Sequence, residues 1–428
     1  MTPEMKTVRL SEVVFDEVIY PRHDHDPALV QRYADCLDEI DACQKFISLA
    51  ADMKLLDGKH RWLAYRKKYG DEDRDIQALV YPVTASHDQL RLAAKLNSEH
   101  GWQLTESDKE STAKSLYAYG CTYEEIAATL SVSKAKVSDW LARVVKDNKD
   151  KRDRKIFDMW LACHTLEEIA TACNCHKDTV SEVCRKEYLD TKSDKPEPQH
   201  ATDFAIPIYN VWKLQEKTSA ISHFGNSEVR WLDNLLYLYT EPFDVVIDPF
   251  AGGGSTIDVC KKRLRRYFVS DRKPIVEREQ EIRRHDLVTN GIPKPPRWKD
   301  VRLVYLDPPY WRQAAGQYSD DAADLANMPL EQFTETLAGI INGFAAKLQN
   351  GDPSYIALIL SPTQWCAPER QFTDHIGDML RLINLPVDMR FSAPYESQQC
   401  TAQMVEWAKA NCKCLVLTRE IVVWRTGK

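Results

Sequence analysis

The sequence predicts an α/β chain in which an open-sheet domain at the C-terminus follows a small α+β domain and an all-α region. Three observations carry this. Val301-Arg302-Leu303-Val304-Tyr305-Leu306 is an apolar run ending in Asp307-Pro308-Pro309-Tyr310. Val245-Val246-Ile247-Asp248 runs into Pro249-Phe250-Ala251-Gly252-Gly253-Gly254-Ser255-Thr256. Thr122-Tyr123-Glu124-Glu125-Ile126-Ala127 recurs as Thr165-Leu166-Glu167-Glu168-Ile169-Ala170. Buried strands that bring acids and glycines to their carboxyl ends mark the ligand side of an open α/β sheet. A duplicated helical pattern marks an internal repeat. The expected boundaries are 1–103, 104–190, a polar Pro-bearing linker at 191–202, and 203–428.

In the first segment Val13 to Ile19 reads as a strand ended by Tyr20-Pro21-Arg22, and Pro27 to Ile40 as a helix. Lys54 to Asp57 reads as a short strand, Gly58 as a turn, Lys59 to Tyr65 as a helix, and Ile76 to Val83 as a closing strand. The Pro-Arg pair, followed by Asp57-Gly58-Lys59-His60-Arg61 opening a helix, resembles the N-terminal domain of ParB and sulfiredoxin-like proteins. In that superfamily the turn holds nucleotide phosphates at a helix N-terminus. Gly58, His60 and Arg61 match it. Sulfiredoxins have a cysteine where Lys59 stands, and ParB proteins an arginine where His60 stands. Nucleotide binding and a scaffold that grips DNA, with Arg61 in contact, are therefore both open readings.

The second segment repeats at fixed spacing. Lys134-Ala135-Lys136-Val137-Ser138 follows the first pattern as Lys177-Asp178-Thr179-Val180-Ser181 follows the second. Each copy reads as helix, tight turn and second helix, with Thr122 or Thr165 as the first cap. This resembles the helix-turn-helix arrangement, whose second helix enters the major groove of double-stranded DNA. The resemblance nominates Ser133, Lys134, Lys136 and Ser138 in copy one, and His176, Lys177, Asp178 and Thr179 in copy two. It also makes a homodimer one expected state. Cys173 and Cys175 form no CxxC pair, so buried thiols are expected rather than zinc.

In the last segment Glu228 to Tyr239 reads as an amphipathic helix, and Arg266-Tyr267-Phe268-Val269-Ser270-Asp271 as a second strand ending in an acid, the usual partner of ribose hydroxyls. Ser354 to Leu360 reads as a strand, Asp374 to Leu385 as a helix, and Leu415 to Trp424 as a closing hairpin. Glycines in the turn let backbone approach a ligand, and Ser255-Thr256 is a candidate cap. There is no GxGxxG and no P-loop. Together these motifs resemble the amino methyltransferases of DNA, which modify adenine N6 or cytosine N4. The resemblance implies a Rossmann-like domain that binds S-adenosyl-L-methionine.

It implies cofactor contacts from Asp248, Pro249, Phe250, Ala251, Gly252, Gly254, Thr256 and Asp271. More loosely it implies Asp286, Asn210, Trp212 and Phe224. Asp307, Pro308, Pro309 and Tyr310 match the catalytic motif. A flipped base would stack on Tyr310 and give its amino hydrogens to Asp307 and the Pro308 carbonyl. Asp rather than Ser at 307 favours adenine N6 over cytosine N4. A DNA-binding regulator with a relic transferase domain is the rival. The glycine turn precedes the catalytic motif, and no stretch is left for a separate recognition domain, so recognition is expected from the helical repeats. Trp311 to Pro329 is expected to be a mobile loop, with Arg312 and Tyr318 able to close over DNA.

Net charge is −7, yet Lys146 to Lys155 and Lys261 to Arg266 are locally basic, and local charge decides phosphate binding. No apolar run is long enough to span a bilayer, and the first residues lack a signal-peptide core. Twelve cysteines without framework spacing read as reduced thiols. A cytoplasmic, nucleoid-associated methylase, carried by a phage or mobile element, is the expectation.

Overall fold

The computed structural model describes residues 2–22, 24–70, 72–99, 104–193, 204–213, 228–312, 315–316, 320–348, 352–361, 375–394 and 401–427. The chain divides into two compact units, Met1–Lys151 and Arg152–Lys428. The division runs through the helical repeat rather than along the expected boundaries.

Unit one holds a four-stranded sheet of β1 (Glu4–Arg9), β2 (Ile47–Ala50), β3 (Leu55–Asp57) and β4 (Asp75–Tyr81), in the order β1-β4-β2-β3. The strand expected at Val13 to Ile19 does not form. Asp16 accepts a hydrogen bond from Val18 N at 2.9 Å, a local turn that competes with pairing. The first strand is instead Glu4–Arg9, an edge strand with Val8 as its one buried residue. The expected helix from Pro27 to Ile40 is broken at Cys36 into α1 (Pro27–Asp35) and α2 (Leu37–Ala42). β4 lies between β1 and β2 rather than closing an edge. Gly58, at φ +92°, caps α3 (Lys59–Tyr69). After α4 (Ser86–Glu99) and α5 (Glu106–Ala118) comes copy one: α6 (Tyr123–Leu130), a turn, and α7 (Lys134–Leu161). Ile126, Leu130, Val137, Trp140 and Leu141 form its core with Leu90, Ala94 and Leu116.

Unit two begins inside α7 and contains copy two, α8 (Leu166–Ala172) and α9 (Lys177–Ser193). The copies agree to the level of backbone. Thr122 and Thr165 each form a capping box, with Glu125 and Glu168 respectively. Nine positions on, Ser131 and Asn174 both take the left-handed conformation, at φ 53° and 46°.

The rest of unit two is α10 (Val229–Tyr239), β5 (Val245–Asp248), α11 (Ser255–Lys262), β6 (Arg266–Asp271), β7 (Arg283–Arg284), α12 (Leu287–Asn290), β8 (Val301–Leu306), α13 (Leu330–Lys347), β9 (Ser354–Leu360), α14 (His375–Arg381), β10 (Val387–Pro394), α15 (Ala402–Ala410) and β11 (Thr418–Thr426). The seven-stranded sheet runs β10-β11-β9-β8-β5-β6-β7. β7, β6, β5, β8 and β9 are parallel, and β11 enters antiparallel between β9 and β10. Leu415 to Trp424 is therefore not a hairpin: it contains the start of one long strand, whose neighbour β10 lies upstream.

Continuous apolar runs suit this sheet because both faces are covered. Val245, Ile247, Val304, Leu306, Ile356 and Leu358 face one core, with Phe333, Leu337 and Phe344 of α13. Val246, Leu303, Tyr305, Ala357 and Ile359 face the other, with Trp231 and Leu235 of α10 and Ile257 of α11. Copy two is built onto the amino ends of these strands. Phe243, just before β5, lies 5.4 Å from the rings of both Trp160 and Tyr188. Arg266 and Arg283, the first residues of β6 and β7, donate to the carbonyls of Trp160 and Ala162 at 3.3 and 2.8 Å.

Candidate active site

The chain leaves β5 for β6 and β7 on one side, then returns to β8 and β9 on the other. The strand order reverses between β5 and β8, and the carboxyl ends at such a switch point are where open α/β sheets bind ligands. The two sequence motifs sit on those two ends.

On β5, Asp248 is buried. It accepts from Phe250 N at 2.9 Å and from the Thr256 hydroxyl. Burial pushes its carboxyl up to about 7, with Asp307 and Asp271 adding to the rise and the two hydrogen bonds opposing it. Thr256 thus ties the helix start to the strand end and does not cap α11. That place belongs to Gly254, at φ +81°. A Cβ on Gly254 would stand 2.8 Å from Arg278 Cδ. Arg278 braces the turn, donating to Gly254 O at 3.0 Å and to both Asp258 oxygens at 2.8 Å. Pro249 and Ala251 are buried behind the turn, and Phe250 packs on the α13 side.

Asp271, at the end of β6, accepts from Gly252 N at 2.9 Å and from Lys273 N at 2.8 Å. Each oxygen keeps a second acceptor site, the disposition a ribose diol needs. A glycine turn under backbone approach and an oriented carboxylate on the next strand fit an adenosyl cofactor. Asp286 lies two residues past β7, as expected for a third strand end. Its carboxylate accepts from Val288 N at 3.0 Å and Thr289 N at 3.2 Å, capping α12, and pairs with Arg272 at 3.2 Å.

Asn210 and Trp212 are placed elsewhere. The short stretch around Val211 bridges to Ser392 of β10, and Trp212 is buried with its ring 4.0 Å from Phe391. β11, β9 and β8 lie between that strand and β5, so neither residue walls the glycine turn. Phe224 and Tyr318 lie outside the described residues.

On β8, Asp307 follows the last strand residue and accepts from Tyr310 Oη at 3.0 Å. Burial raises its carboxyl to about 6, while Arg419 and the Tyr310 hydroxyl pull it down. Tyr305 is fully enclosed beneath and held well above its ordinary value by burial, with Asp307 and Asp248 adding. Pro308 is buried; Asp307, Pro309 and Tyr310 are half-buried by exposed surface. The following segment is less free than expected. Trp311, Leu325, Ala326 and Met328 are buried, Trp311 Nε1 donates to Met328 O at 2.8 Å, and Arg312 N to Ala326 O at 3.1 Å. Arg272 also reaches Asp321 of this segment.

Arg419, Arg278 and Trp231 were not foreseen. Arg419 carries no local motif. It reaches the site because β11 enters the sheet in reverse and starts where the parallel strands end.

The helical repeats present Ser133, Lys134, Lys136, Ser138, His176 and Lys177 at the surface, with Thr179 half-buried. Lys134 pairs with Glu124 and Lys177 with Glu167, equivalent positions in the two copies. Lys136 pairs with Glu106 at 3.2 Å, and His176 with Asp178 at 3.1 Å. Exposed pairs of this kind contribute little, so a phosphate can replace the carboxylate at small cost. Arg61 is turned inward. It donates to the carbonyls of Lys45 and Phe46 at 2.8 and 2.7 Å and to Asp57 at 2.8 Å, which leaves it a structural clamp rather than a DNA contact. His60 Nε2 accepts from Asp26 N at 3.0 Å, and burial lowers its pKa to about 4. Among the described residues no three His, Cys, Asp or Glu side chains gather as metal ligands. Among them, too, no helix is long and apolar enough to cross a membrane.

Comparison with solved structures finds 19 matching chains. ParB of Caulobacter crescentus complexed with CTP-gamma-S is 16% identical, with 32% of this chain and 77% of that one covered and a TM-score of 0.20. ParB of the same organism complexed to the centromeric parS site is 14% identical, with 42% and 99% covered and a TM-score of 0.24. An antibiotic-related methyltransferase is 14% identical, with 49% and 96% covered and a TM-score of 0.23. Likenesses this weak decide nothing. No curated protein matches the chain. A family model described as DNA methylase, of the N6 and N4 methyltransferases, matches residues 93–278. It is central in the chain, takes in the helical repeats, the glycine turn and Asp271, and ends before Asp307. Over residues 93–278 the chain is thus matched to the DNA methylase family.

Proposed function

We propose that the chain methylates double-stranded DNA on the exocyclic amine of a flipped-out base, with adenine N6 as the target and S-adenosyl-L-methionine as the donor. The observation that carries this reading is the placement of the glycine turn and of Asp307-Pro308-Pro309-Tyr310 on adjacent strand ends at the reversal of strand order. S-adenosyl-L-methionine, when bound, supplies an electrophilic methyl group.

The chain's own residues then position the other reactant. The glycine turn and Asp271 hold the donor side. Tyr310 offers its ring to the extruded base, which a duplex would otherwise keep out of reach. Asp307 accepts one amino hydrogen and the Pro308 carbonyl the other. Both bonds draw the nitrogen lone pair toward the donor and out of conjugation with the ring. The nitrogen gains the methyl group as the methyl–sulfur bond breaks to leave a thioether, and its surplus proton passes to the Asp307 carboxylate. Alignment of two held reactants supplies most of the acceleration. The DNA is gripped by Lys134, Lys136 and their neighbours, with the sequence read by the start of α7.

The test is calorimetric binding of the donor, followed by transfer to duplex DNA and mass spectrometry of the released nucleosides. N6-methyladenine is the expected product. N4-methylcytosine would move the target to cytosine, and donor binding without any DNA product would support a relic domain. Asp307→Ala should lower transfer by at least about a hundredfold while donor and DNA binding persist. Undiminished transfer would sink the mechanism.

A further inference from the structure

β11 delivers a residue to the catalytic turn that neither motif contains. Glu420 lies opposite Leu360, so Arg419, one step out, stands at the edge where β9 ends and β8 has given way to Asp307 and Pro308. Its guanidinium carbon is 5.1 Å from the centre of the Tyr310 ring and 5.3 Å from that of Trp231. Trp231 is buried at 1% exposure on α10, a fixed wall. The neighbouring acid on β11, Glu420, is paired with Arg390 at 3.5 Å. The cation therefore lies over both a buried indole and the ring that would receive the base.

We propose that Arg419 is a positioning residue of the methyl-transfer site: held over Trp231 and Tyr310, it fixes the plane of the Tyr310 ring and keeps positive charge beside Asp307. The inference rests on the methyltransferase reading above. The guanidinium lies over one face of the Tyr310 ring, and its charge strengthens the ring as a stacking platform. Among the described residues, the groups that bear on Asp307 include Tyr310 from its own turn, Tyr305 from β8, Asp248 from β5 and Arg419 from β11. Of these Arg419 is the cation. Its field favours the carboxylate, which is the form able to accept from an amine.

The experiment compares the full chain with Arg419→Gln and Arg419→Lys. Donor affinity and thermal melting are followed first, then single-turnover transfer against pH, and the titration of carboxyl-labelled aspartates by carbon NMR. Arg419→Gln should bind the donor as the wild type does, transfer about tenfold more slowly, and show its acid limb displaced to higher pH. Arg419→Lys should restore the position of the limb and part of the rate. An unchanged rate and limb in Arg419→Gln would overturn the inference, as would a rate loss matched by lost donor binding. If the wild type itself methylates no DNA, the functional reading falls. Arg419 is then judged by NMR, where an Asp307 titration unmoved by Arg419→Gln overturns its role.

Discussion

Asp307 and Asp248 stand on neighbouring strand ends, and burial holds both toward the protonated form, at about 6 and about 7 against an ordinary value of 3.8. A raised folded-state pKa means that the folded chain binds the proton more tightly than the unfolded one. The stabilisation is complete below the unfolded value and is lost as pH rises through the folded value. Ionising these acids thus costs stability between about pH 4 and 7, while accepting an amino hydrogen requires Asp307 ionised. Stability and activity should move in opposite directions across this window. Methyl transfer is expected to fall as pH drops through about 6, and melting temperature to rise. Asp248→Asn should flatten the thermal trend, which differential scanning calorimetry at several pH values would read. A melting profile equally steep in the variant would mean that Asp248 is not the group responsible.

At the scale of elements the glycine turn is defined by Gly254 and Arg278 together. Gly254→Ala puts a side chain at φ +81°, costing of order 1–3 kcal/mol, and drives a Cβ into Arg278. Donor affinity should fall by about tenfold or more. Adding Arg278→Ala should relieve the collision but not the backbone strain, so the double variant should recover only part of the loss. Full recovery would show that the backbone conformation is unimportant. The turn was legible in the sequence because an apolar run buried on both faces, ending in an acid and glycines, has few other uses. β5, β6, β8 and β9 were legible for the same reason. β1 and β10 were not: as edge strands they expose five of six and four of eight residues, so the apolar pattern is interrupted. Arg419 and Arg278 were illegible because their contacts depend on which distant strand or turn lies beside them. The Asn210 and Trp212 expectation failed likewise: aromatic content marked the segment as packed, but not against which strand.

For the whole molecule, the two helical copies share one sequence pattern but live in different units. Copy two is anchored at the amino ends of the seven-stranded sheet, while the candidate site occupies the carboxyl ends. A strand of six residues separates those edges by about 20 Å. Its α9 is held by Tyr188 against Phe243, itself in a left-handed conformation at φ 69°, and by α7 through Trp160. Such anchoring suits a brace, whereas copy one is attached to the first unit through its own core. Reading of DNA should therefore depend on copy one more than on copy two. Lys134→Ala with Lys136→Ala should weaken DNA binding and lower the salt dependence by about one unit of slope per lost phosphate contact. Lys177→Ala should change either quantity much less. Phe243→Ala should instead lower stability by about 3 kcal/mol and leave the salt slope unaltered. Fluorescence anisotropy over a salt series and denaturant unfolding separate these outcomes. Equal losses of DNA affinity from both copies would show that copy two reads DNA as well as bracing the sheet.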